Sequence, residues 1–438
     1  MKNLTTIILA AGKGTRMNST LSKVLHPIAN QSMLSHIIDK SKKLKSNKII
    51  VVVNETFIIP KTEINSKIIY IVQNEQLGTG DAIKSCLKNI DKLNNRVLIL
   101  YADVPLINTS TLKKLIKLRL KNEIKILAFK KIEKNNYGKL IIKNNLVEKV
   151  IEAKEFKTNN QPIECNSGIF CANAEGLIKL IPKIKNNNAK KEYYLTDFFE
   201  LAFNSKYHTK VIYGSEEEFM GINDKTELAK AEKIMQNKLR EKFLQQGVTL
   251  IDPETIYFSK DTKIGKDVTI YPNVFIGPKV VIGNNSTIHP FTHLDDCKIG
   301  KNVSIGPNAR IRPGSEIADE TKVGNFVEIK KSKIGKGSKV NHLAYVGDAI
   351  LGKNVNVGAG TITCNYDGKN KYVTQIGDNA FIGSNSSLVA PLKIEKDAYI
   401  GSGSVITNNV SKGALAIERS HQTEIKNWSK RSKRSKRK

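Results

Sequence analysis

A glycine-rich turn near the N-terminus is the first segment whose residue types could do chemistry. It reads Leu9-Ala10-Ala11-Gly12-Lys13-Gly14-Thr15-Arg16-Met17 and follows a short β-branched run. Glycines at such a turn let backbone amides approach phosphate oxygens at a helix N-terminus, so the turn indicates a phosphate site. It has neither the third glycine of the dinucleotide-binding fingerprint nor the Gly-Lys-Ser/Thr ending of a P-loop. From the turn alone, a second interpretation remains open, in which the segment is only a tight connection between a strand and a helix.

Further polar residues follow the turn and the predicted strands. Lys23 lies shortly beyond Arg16, and Gln73 with the segment Gln76-Leu77-Gly78-Thr79-Gly80 follows the third predicted strand. Asp103 ends the fourth. Open α/β sheets bind ligands at the carboxyl ends of their strands, and a carboxylate there commonly holds Mg²⁺ against nucleotide phosphates. These residues together favour a nucleotide site.

A second set of reactive side chains lies in the last third of the chain. Arg312, Lys330, His342 and Tyr345 precede the polar segment 358–367, where a purely structural repeat would carry mostly Ser, Asn and Thr. Acid–base catalysis on a substrate requires a positioned side chain that can take up a proton. Histidine is the natural base near neutral pH, with an unperturbed pKa of about 6.5. We therefore expect His342 to be catalytic. The other histidines lack such company and are expected to be solvated or capping residues: His26, His36, His208, His289, His293 and His421.

Two kinds of element must position these residues. Residues 1–224 alternate strand-like and helix-like segments, which indicates helices over a mostly parallel sheet. The strand-like runs are Thr5–Ala10, Lys48–Val53, Ile68–Val72 and Val97–Tyr101, and the helical ones include Met33–Leu44 and Asp81–Ile90. Residues 225–246 have apolar residues at three- and four-residue spacing, so they predict one linking helix that stops before Gly247.

From residue 247 to 420 the pattern becomes a repeat of six residues. One phase runs Ile264, Ile270, Ile276, Ile282, Ile288 and Leu294, and the period resumes after one-residue slips and again from Ile376 to Ile406. This period is typical of a hexapeptide parallel β-helix, in which each aliphatic residue points inward. Asn365–Asn370 interrupts it and is expected to loop out. Side-by-side association would cover a flat outer face.

The charge of the chain raises a different class of function. The 438 residues include 71 Lys and Arg against 41 Asp and Glu, a formal charge of +30. Such an excess suggests nucleic-acid binding. However, the lysines are spread along the chain, and only the tail within 421–438 is dense, from Lys430 to Lys438. We expect this tail to be disordered and leave contact with nucleic acid or a membrane surface open for it alone.

The remaining composition indicates a cytoplasmic protein. No apolar run approaches the roughly 20 residues that span a bilayer, and the N-terminal run leads into a glycine turn rather than a cleavage site. The five cysteines have no zinc or redox spacing and are expected to be buried free thiols: Cys86, Cys165, Cys171, Cys297 and Cys364.

Taken together, the motifs resemble those of the sugar-1-phosphate nucleotidyltransferases. With the repeat, the chain over about residues 5–428 resembles the bacterial bifunctional N-acetylglucosamine-1-phosphate uridyltransferase and glucosamine-1-phosphate acetyltransferase family. Further matching motifs are Tyr137-Gly138, Glu152 with Lys154, Asn166-Ser167-Gly168, Tyr193-Tyr194-Leu195-Thr196-Asp197 and Gly221-Ile222-Asn223. The resemblance implies a Rossmann-like nucleotidyltransferase domain, a left-handed β-helix, a homotrimer, and synthesis of UDP-N-acetylglucosamine for cell-wall and lipopolysaccharide precursors.

The resemblance assigns roles in the first site. The nucleotide contacts would be Leu9, Ala10, Gly12, Lys23, Gln73, Gly78, Thr79, Tyr101 and Asp103, and the sugar contacts Gly138, Glu152, Asn166 and Asn223. Asp103 and Asn223 would hold Mg²⁺, while Arg16 and Lys23 stabilise charge on the phosphates. Because the attacking phosphate is already anionic, the reaction needs no general base. Two departures are Ala102, where the family usually has Gly, and Asn30-Gln31-Ser32, where it has Gly-Lys-Pro. Ala102 could weaken nucleotide binding, and the second departure is expected to be structural.

The resemblance also assigns roles in the second site. His342 would deprotonate glucosamine-1-phosphate, Arg312 and Lys330 would bind its phosphate, and Tyr345 and Asn356 would position the sugar. Asn365 and Tyr366 are expected beside the sugar and acetyl-CoA. The acetyl-CoA groove, formed between subunits of the trimer, would be lined by Ala359, Ser384, Ser402 and Arg419.

Two alternatives remain from the sequence. The first is an enzyme with only the nucleotidyltransferase activity and a structural β-helix; the Arg312, Lys330, His342 and Tyr345 set speaks against it. The second is a nucleic-acid-binding scaffold driven by charge, which the diffuse lysines and a single Trp disfavour.

Overall fold

The computed structural model describes residues 3–60, 67–91, 95–131, 137–153, 156, 163–188 and 190–429. The chain divides into two compact units, Met1–Gln236 and Asn237–Lys438. Lys154 and the basic run Lys430–Lys438, with the expectation of disorder attached to it, lie outside the described residues. Across those ranges, no helix has the length and apolar character needed to cross a membrane.

A mixed, mostly parallel sheet forms the centre of the first unit. Its described strands, in chain order and with one small hairpin (β2 and β3), are β1 Asn3–Leu9, β2 Pro27–Ile28, β3 Gln31–Ser32, β4 Lys48–Val53, β5 Ile68–Val72, β6 Asn95–Tyr101, β7 Glu123–Lys131, β8 Lys139–Lys143, β9 Leu146–Ile151, β10 Ile163–Asn173 and β11 His208–Tyr213. The strand order is β11-β7-β10-β6-β1-β4-β5, with β8 and β9 attached through β10. β1 pairs in parallel with β4 and β6, whereas β10 runs antiparallel to β6 and β7. The predicted mostly parallel sheet is confirmed.

Helices cover both faces of this sheet. They are α1 Met33–Lys43, α2 Thr79–Cys86, α3 Thr109–Leu115, α4 Ala174–Leu180 and α5 Asp197–Asn204. A longer helix, α6 Lys225–Gln245, follows β11 in the chain. Alternate residues of one strand enter different cores: Ile7 packs with Ala82 of α2, and Ile8 packs with Leu34 of α1. The helical segment expected at 81–90 ends at Cys86 and continues as a 3-10 turn, Leu87–Asn89.

The turn at Asn30-Gln31-Ser32 starts α1. Ala29 and Asn30 adopt left-handed backbone conformations, with φ of 47° and 58°. Ser32 is the N-cap, because its Oγ accepts a hydrogen bond from Ser35 N at 3.0 Å. Gln31 Nε2 donates to Asp39 Oδ2, eight residues further along the chain, at 2.6 Å. A hydroxyl cap therefore occupies the place of the family's usual proline.

The second unit is a β-helix with three stacked parallel sheets. The first sheet contains Thr249–Leu250, Thr269–Ile270, Thr287–Ile288, Ser304–Ile305, Lys322–Asn325, Lys339–His342, Asn356–Val357, Phe381–Ile382, Tyr399–Ile400 and Leu415–Ala416. The second sheet contains Tyr257–Phe258, Phe275–Ile276, His293–Leu294, Arg310–Ile311, Glu328–Lys330, Tyr345–Gly347, Ile362–Cys364, Ser387–Val389 and Val405–Ile406. The third sheet contains Lys263–Ile264, Val281–Ile282, Cys297–Ile299, Ser315–Ile317, Lys333–Ile334, Ala349–Leu351, Thr374–Ile376 and Leu392–Ile394. The aliphatic residues of the six-residue repeat pair with one another from coil to coil and are buried, so the predicted hexapeptide architecture is confirmed.

The expected interruption at Asn365–Asn370 is a corner excursion. Paired strand residues of adjacent coils are mostly 17 or 18 positions apart, as in Val340 with Val357, but they are 25 apart across the excursion, where Asn356 pairs with Phe381. Tyr366 and Lys371 form an antiparallel bridge across the added residues, and Tyr372 N returns to Asn365 O at 2.9 Å. The excursion therefore leaves the coil and rejoins it at nearly the same point.

Candidate active sites

The glycine turn near the N-terminus leads into a shorter helical segment than the sequence analysis predicted. Gly14 has φ +64°, and a Cβ there would lie 2.6 Å from Lys23 Cβ, so glycine lets Lys23 lie against the turn. The turn leads into a three-residue 3-10 helix, Thr15–Met17, which ends at Asn18 in a left-handed conformation. The expectation of a helix N-terminus at this turn is therefore wrong, and anion binding here depends on amides and side chains. Gln76 Nε2 donates to Ala11 O at 2.8 Å and ties the second motif to the turn.

Lys23, Asp103 and Asn223 converge from three parts of the chain. Lys23 Nζ lies 2.5 Å from Asp103 Oδ2 and 3.1 Å from Asn223 Oδ1. The two oxygens therefore face one point that already holds a positive charge, which fits an oxygen-preferring divalent cation. Among the described residues, no group of three or more His, Cys, Asp and Glu side chains is arranged to hold a metal ion.

The loop that carries Gly78 and Thr79 is fixed by the Tyr193 motif. Gly78 has φ +103°, and a Cβ there would lie 2.7 Å from Tyr193 O. Tyr193 N donates to Leu77 O at 2.7 Å, and Thr79 Oγ1 accepts from Leu195 N at 3.2 Å. The Gln73 side-chain amide donates within the same loop, to Gly78 O.

The predicted sugar contacts lie beside Tyr101. Asn166 N donates to Gly138 O, and Asn166 Oδ1 accepts from Gly168 N, both at 2.8 Å. A Cβ on Gly168 would lie 2.8 Å from the Tyr101 ring, so the Asn166 turn rests directly on that ring. Burial, and then the nearby Asp103 carboxylate, raises the pKa of the Tyr101 phenol. Glu152 belongs to the same region, because the charges of Asp103 and Glu152 both act on Tyr101.

The other predicted contacts of this site differ in exposure. Leu9 and Ala10 are buried at the end of β1, so only their backbone could meet a ligand, whereas Gly12 and Arg16 are exposed on the turn. Ala102 is fully buried within the apolar core that also contains Leu34 and Leu112. Its methyl group therefore packs into the protein interior.

His342 belongs to a column of residues along one corner of the β-helix. The strand registers place Asn325, His342, Ala359, Ser384 and Ser402 at equivalent positions of successive coils, two residues after a buried aliphatic residue. His342 Nδ1 lies 2.7 Å from Asn325 Oδ1. Because an amide oxygen only accepts, this contact favours the neutral tautomer with the proton on Nδ1 and the lone pair on Nε2. We name this line of residues the histidine corner.

Arg312 and Lys330 lie where strands of the second sheet end, whereas the histidine corner lies where strands of the first sheet end. Each follows the buried aliphatic residue of a strand, Ile311 or Ile329. Arg312 Nη1 donates to Glu328 Oε1 at 2.7 Å, and Lys330 Nζ lies 3.6 Å from Asp348 Oδ2. We name this end of the second sheet the basic corner.

The excursion adds polar groups to the basic corner. Asn365 Nδ2 donates to the buried Asp348 at 2.5 Å, and Tyr366 follows on the excursion with an exposed ring. The Lys371 ammonium lies beside Lys330, and the contact with that second cation lowers the pKa of Lys371. An anion at this corner would relieve the repulsion.

The remaining predicted contacts are divided between faces of the coil. Tyr345 is on the second sheet, between the two corners, and the ring hydroxyl lies over Gly347. Asn356 is on the first sheet, which is a different side of the coil. Arg419 Nη1 donates to Ser402 O at 2.6 Å, so Arg419 joins the histidine corner.

Several contacts escaped the sequence analysis. Thr196 Oγ1 donates to Glu152 Oε1 at 2.9 Å. Asn325 is hydrogen-bonded to His342 and orients its ring. Asp348 forms an ion pair with Lys330 and accepts a hydrogen bond from Asn365. Asn325 precedes His342 by one coil length, so the repeat itself carried the signal for that pair. Nothing comparable marked Thr196, which meets Glu152 across 44 residues.

Comparison with known proteins finds a matching family for each of the two parts of the chain. A MobA-like NTP transferase domain matches residues 6–159, and the bacterial transferase hexapeptide repeat matches residues 261–295, 296–331 and 374–408. The Bifunctional protein GlmU of Paramagnetospirillum magneticum is 44% identical over 98% of this chain and 96% of its own length. The GlmU protein of Bradyrhizobium diazoefficiens is 47% identical over 95% of this chain and 94% of its own, and that of Wolbachia pipientis is 44% identical over 96% and 98%.

The fold and the two sites define a class: a sugar-phosphate nucleotidyltransferase joined to a hexapeptide acyltransferase. Near-full-length identity of 42–47% to several curated relatives narrows this class to one family. The chain belongs to the family of bifunctional GlmU proteins, and it is an enzyme of UDP-N-acetylglucosamine synthesis with uridyltransferase and acetyltransferase activities.

Proposed function

We propose that the first site transfers the uridylyl group of UTP to N-acetylglucosamine-1-phosphate. The observation that carries this assignment is the meeting of Lys23, Asp103 and Asn223 at one point. Leu9, Ala10, Gly12, Gln73, Gly78, Thr79 and Tyr101 would hold the nucleotide, and Gly138, Glu152, Asn166 and Asn223 the sugar phosphate. Arg16 and Lys23 neutralise charge on the phosphates, so the anionic sugar phosphate can attack without a base.

Asp103 and Asn223 are the residues that would hold Mg²⁺ in this site. Their oxygens already converge on the Lys23 ammonium, which is a stand-in for a cation. The ion, when bound, would draw negative charge from the phosphates of the nucleotide. The residues of the chain contribute orientation: Tyr101 supports the Asn166 turn, and Thr196 holds the Glu152 carboxylate.

The second site would acetylate glucosamine-1-phosphate with acetyl-CoA. The sugar phosphate would lie over Tyr345 on the second sheet, with its phosphate on Arg312 and Lys330 and its amine toward His342. His342 Nε2 removes a proton from the ammonium, and the freed amine attacks the thioester carbonyl. The tetrahedral intermediate then breaks its C–S bond, CoA leaves as a thiolate that takes the proton from His342, and the amide nitrogen releases its remaining extra proton to solvent. Ala359, Ser384, Ser402 and Arg419 continue the histidine corner and would line the acetyl-CoA groove, with Asn365 and Tyr366 at the basic corner. The orientation of His342 by Asn325 supports the base role.

The active assembly would be a homotrimer. Phe291, Phe326 and Leu343 lie at equivalent corners beside the histidine corner and form an apolar column that Asn308 interrupts, and their side chains are 61, 57 and 62% exposed. All three have left-handed backbone conformations, with φ between 50° and 58°, which is unfavourable for large side chains. A second copy of the chain that covers this column would bury the apolar surface and enclose His342. Asn356, on another side of the coil, also fits a site shared between copies.

We place the enzyme in the cytoplasm. All five cysteines are free thiols, which fits a reducing compartment. Burial raises the pKa of Cys86, Cys171 and Cys297 to about 12, so these thiols are kept protonated.

Two coupled assays test the assignment of the sites. Acetyl-CoA consumption is followed with glucosamine-1-phosphate, and then pyrophosphate release after addition of UTP and Mg²⁺, for the wild type and His342→Ala. The assignment holds if the wild type does both and His342→Ala loses only acetyl transfer. If the wild type releases pyrophosphate from N-acetylglucosamine-1-phosphate but never consumes acetyl-CoA, the second site is wrong and the β-helix is a scaffold.

A further inference from the structure

Lys23 occupies the point at which the proposed metal ligands converge. Its Nζ contacts Asp103 Oδ2 at 2.5 Å and Asn223 Oδ1 at 3.1 Å. The Lys23 and Asp103 side chains are only 11 and 22% exposed, so solvent screens the pair weakly. A divalent ion and the ammonium therefore compete for the same two oxygens.

The main chain that carries the two oxygens is held in place independently of Lys23. Ile222 N donates to Asp103 O at 2.9 Å, which joins the end of β6 to the segment before α6. Asn223 N donates to Glu227 Oε2 at 2.6 Å, and Glu227 N in turn donates to Asp224 Oδ1 at 2.8 Å. These bonds form a capping arrangement at the start of α6 that fixes the Asn223 backbone. The segments that carry Asp103 and Asn223 are therefore joined by bonds that do not involve Lys23.

The Lys23 side chain has both the freedom and the charge to leave. Its ammonium ends a flexible stem of four carbons, while its backbone is held in the 3-10 turn Lys23–Leu25 and against Gly14. The phosphates of a nucleotide bound at the adjacent turn would offer this ammonium more negative charge than one carboxylate does. Lys23 can therefore exchange Asp103 for a phosphate without movement of the main chain.

We propose that Lys23 is an internal competitor for the metal ion. In the nucleotide-free protein its ammonium holds the cation position and weakens the binding of free divalent ions. Nucleotide phosphates draw Lys23 away, and both oxygens are released to the metal. Nucleotide and metal then strengthen each other's binding reciprocally. This proposal rests on the proposed assignment of Asp103 and Asn223.

The test measures Mn²⁺ binding to the full-length, nucleotide-free protein by electron paramagnetic resonance. Lys23→Met keeps the length of the stem and removes the charge, and Lys23→Arg keeps a cation. Lys13→Met is the matched control, because Lys13 is an exposed lysine of the same turn. We expect Lys23→Met to bind Mn²⁺ about tenfold more tightly than the wild type, a typical size for such coupling. Lys23→Arg and Lys13→Met should match the wild type. Equal affinity of Lys23→Met and wild type would overturn the proposal.

A second substitution separates this proposal from the metal site itself. Asp103→Asn, added to Lys23→Met, should abolish the gained Mn²⁺ binding. If the gain survives, the metal lies elsewhere, and the assignment of Asp103 fails rather than the competition alone. Should circular dichroism show that Lys23→Met is unfolded, amine acylation of the wild type replaces it. Saturating Mn²⁺ should then raise the labelling of Lys23 and leave Lys13 unchanged; unchanged labelling of Lys23 would refute the exchange.

Discussion

The two sites of this chain are built in opposite ways. The first joins residues that are 80 and 200 positions apart, and a backbone hydrogen bond from Ile222 to Asp103 joins two of the segments that carry them. The second follows from coil register, so that residues 17 positions apart become neighbours on an exposed corner. The difference agrees with our proposal that the first site lies within one chain, whereas the second is covered by another copy. The predictions below test this contrast, from the largest expected effect to the smallest.

Removal of the base should separate the sites completely. His342→Ala is expected to slow acetyl transfer by about 10²–10⁴-fold, the usual contribution of general base catalysis. Uridylyl transfer, measured on supplied N-acetylglucosamine-1-phosphate, should stay within about twofold of wild type, because the two sites share no residue. A parallel loss of both rates would mean that the sites are coupled.

Disruption of the apolar column should affect only the second site. The double variant Phe291→Asn, Phe326→Asn copies Asn308, which holds the equivalent left-handed corner between them. Since Asn tolerates this conformation, the coil should remain folded while the association weakens. We expect dissociation in analytical ultracentrifugation and a loss of acetyl transfer of at least about tenfold at low protein concentration, by mass action.

The control for that variant is Val281→Asn, which changes an apolar residue on the outer face of the third sheet. It should keep the assembly and both activities. A fully active monomer of the double variant would refute the shared site.

Loss of the Thr196 hydroxyl should weaken sugar binding in the first site. Thr196→Val leaves Glu152 Oε1 without the donor now at 2.9 Å. A hydrogen bond to a charged group contributes about 1.5–3 kcal/mol, so the KM for N-acetylglucosamine-1-phosphate should rise by about tenfold or more. Thr196→Ser should restore it, and acetyl transfer should not change. A fall in kcat with unchanged KM would argue against a positioning role.

A change of the partner of His342 should alter only the pH profile of acetyl transfer. Asn325→Asp places a carboxylate against Nδ1 and stabilises the imidazolium, so the acid limb of the rate should move upward by about one pH unit. The sign follows because the base must be neutral and the substituted carboxylate favours its protonated form. An unshifted profile would show that His342 leaves Asn325 during the reaction.

The sequence carried far more information about the second site than about the first. A six-residue period predicts which residues lie at the same corner of successive coils. The Asn325–His342 contact could therefore have been predicted from the spacing of these two residues in the sequence. The Lys23–Asp103 pair could not, because it depends on the strand order around β1 and β6, which no local pattern encodes. The 3-10 turn after Gly14 also escaped, since its early end at Asn18 reflects one left-handed residue.

The corner excursion has a consequence for how such proteins diverge. Its ends meet across a single hydrogen bond between Tyr372 N and Asn365 O, and the coils on either side keep their pairing. A β-helix of this kind can accept extra residues at a corner, because the strands of the neighbouring coils still pair with each other. New substrate contacts can therefore be acquired by insertion in one coil while every other coil keeps its register. The corner excursion is accordingly a suitable position for changes intended to alter the acceptor sugar.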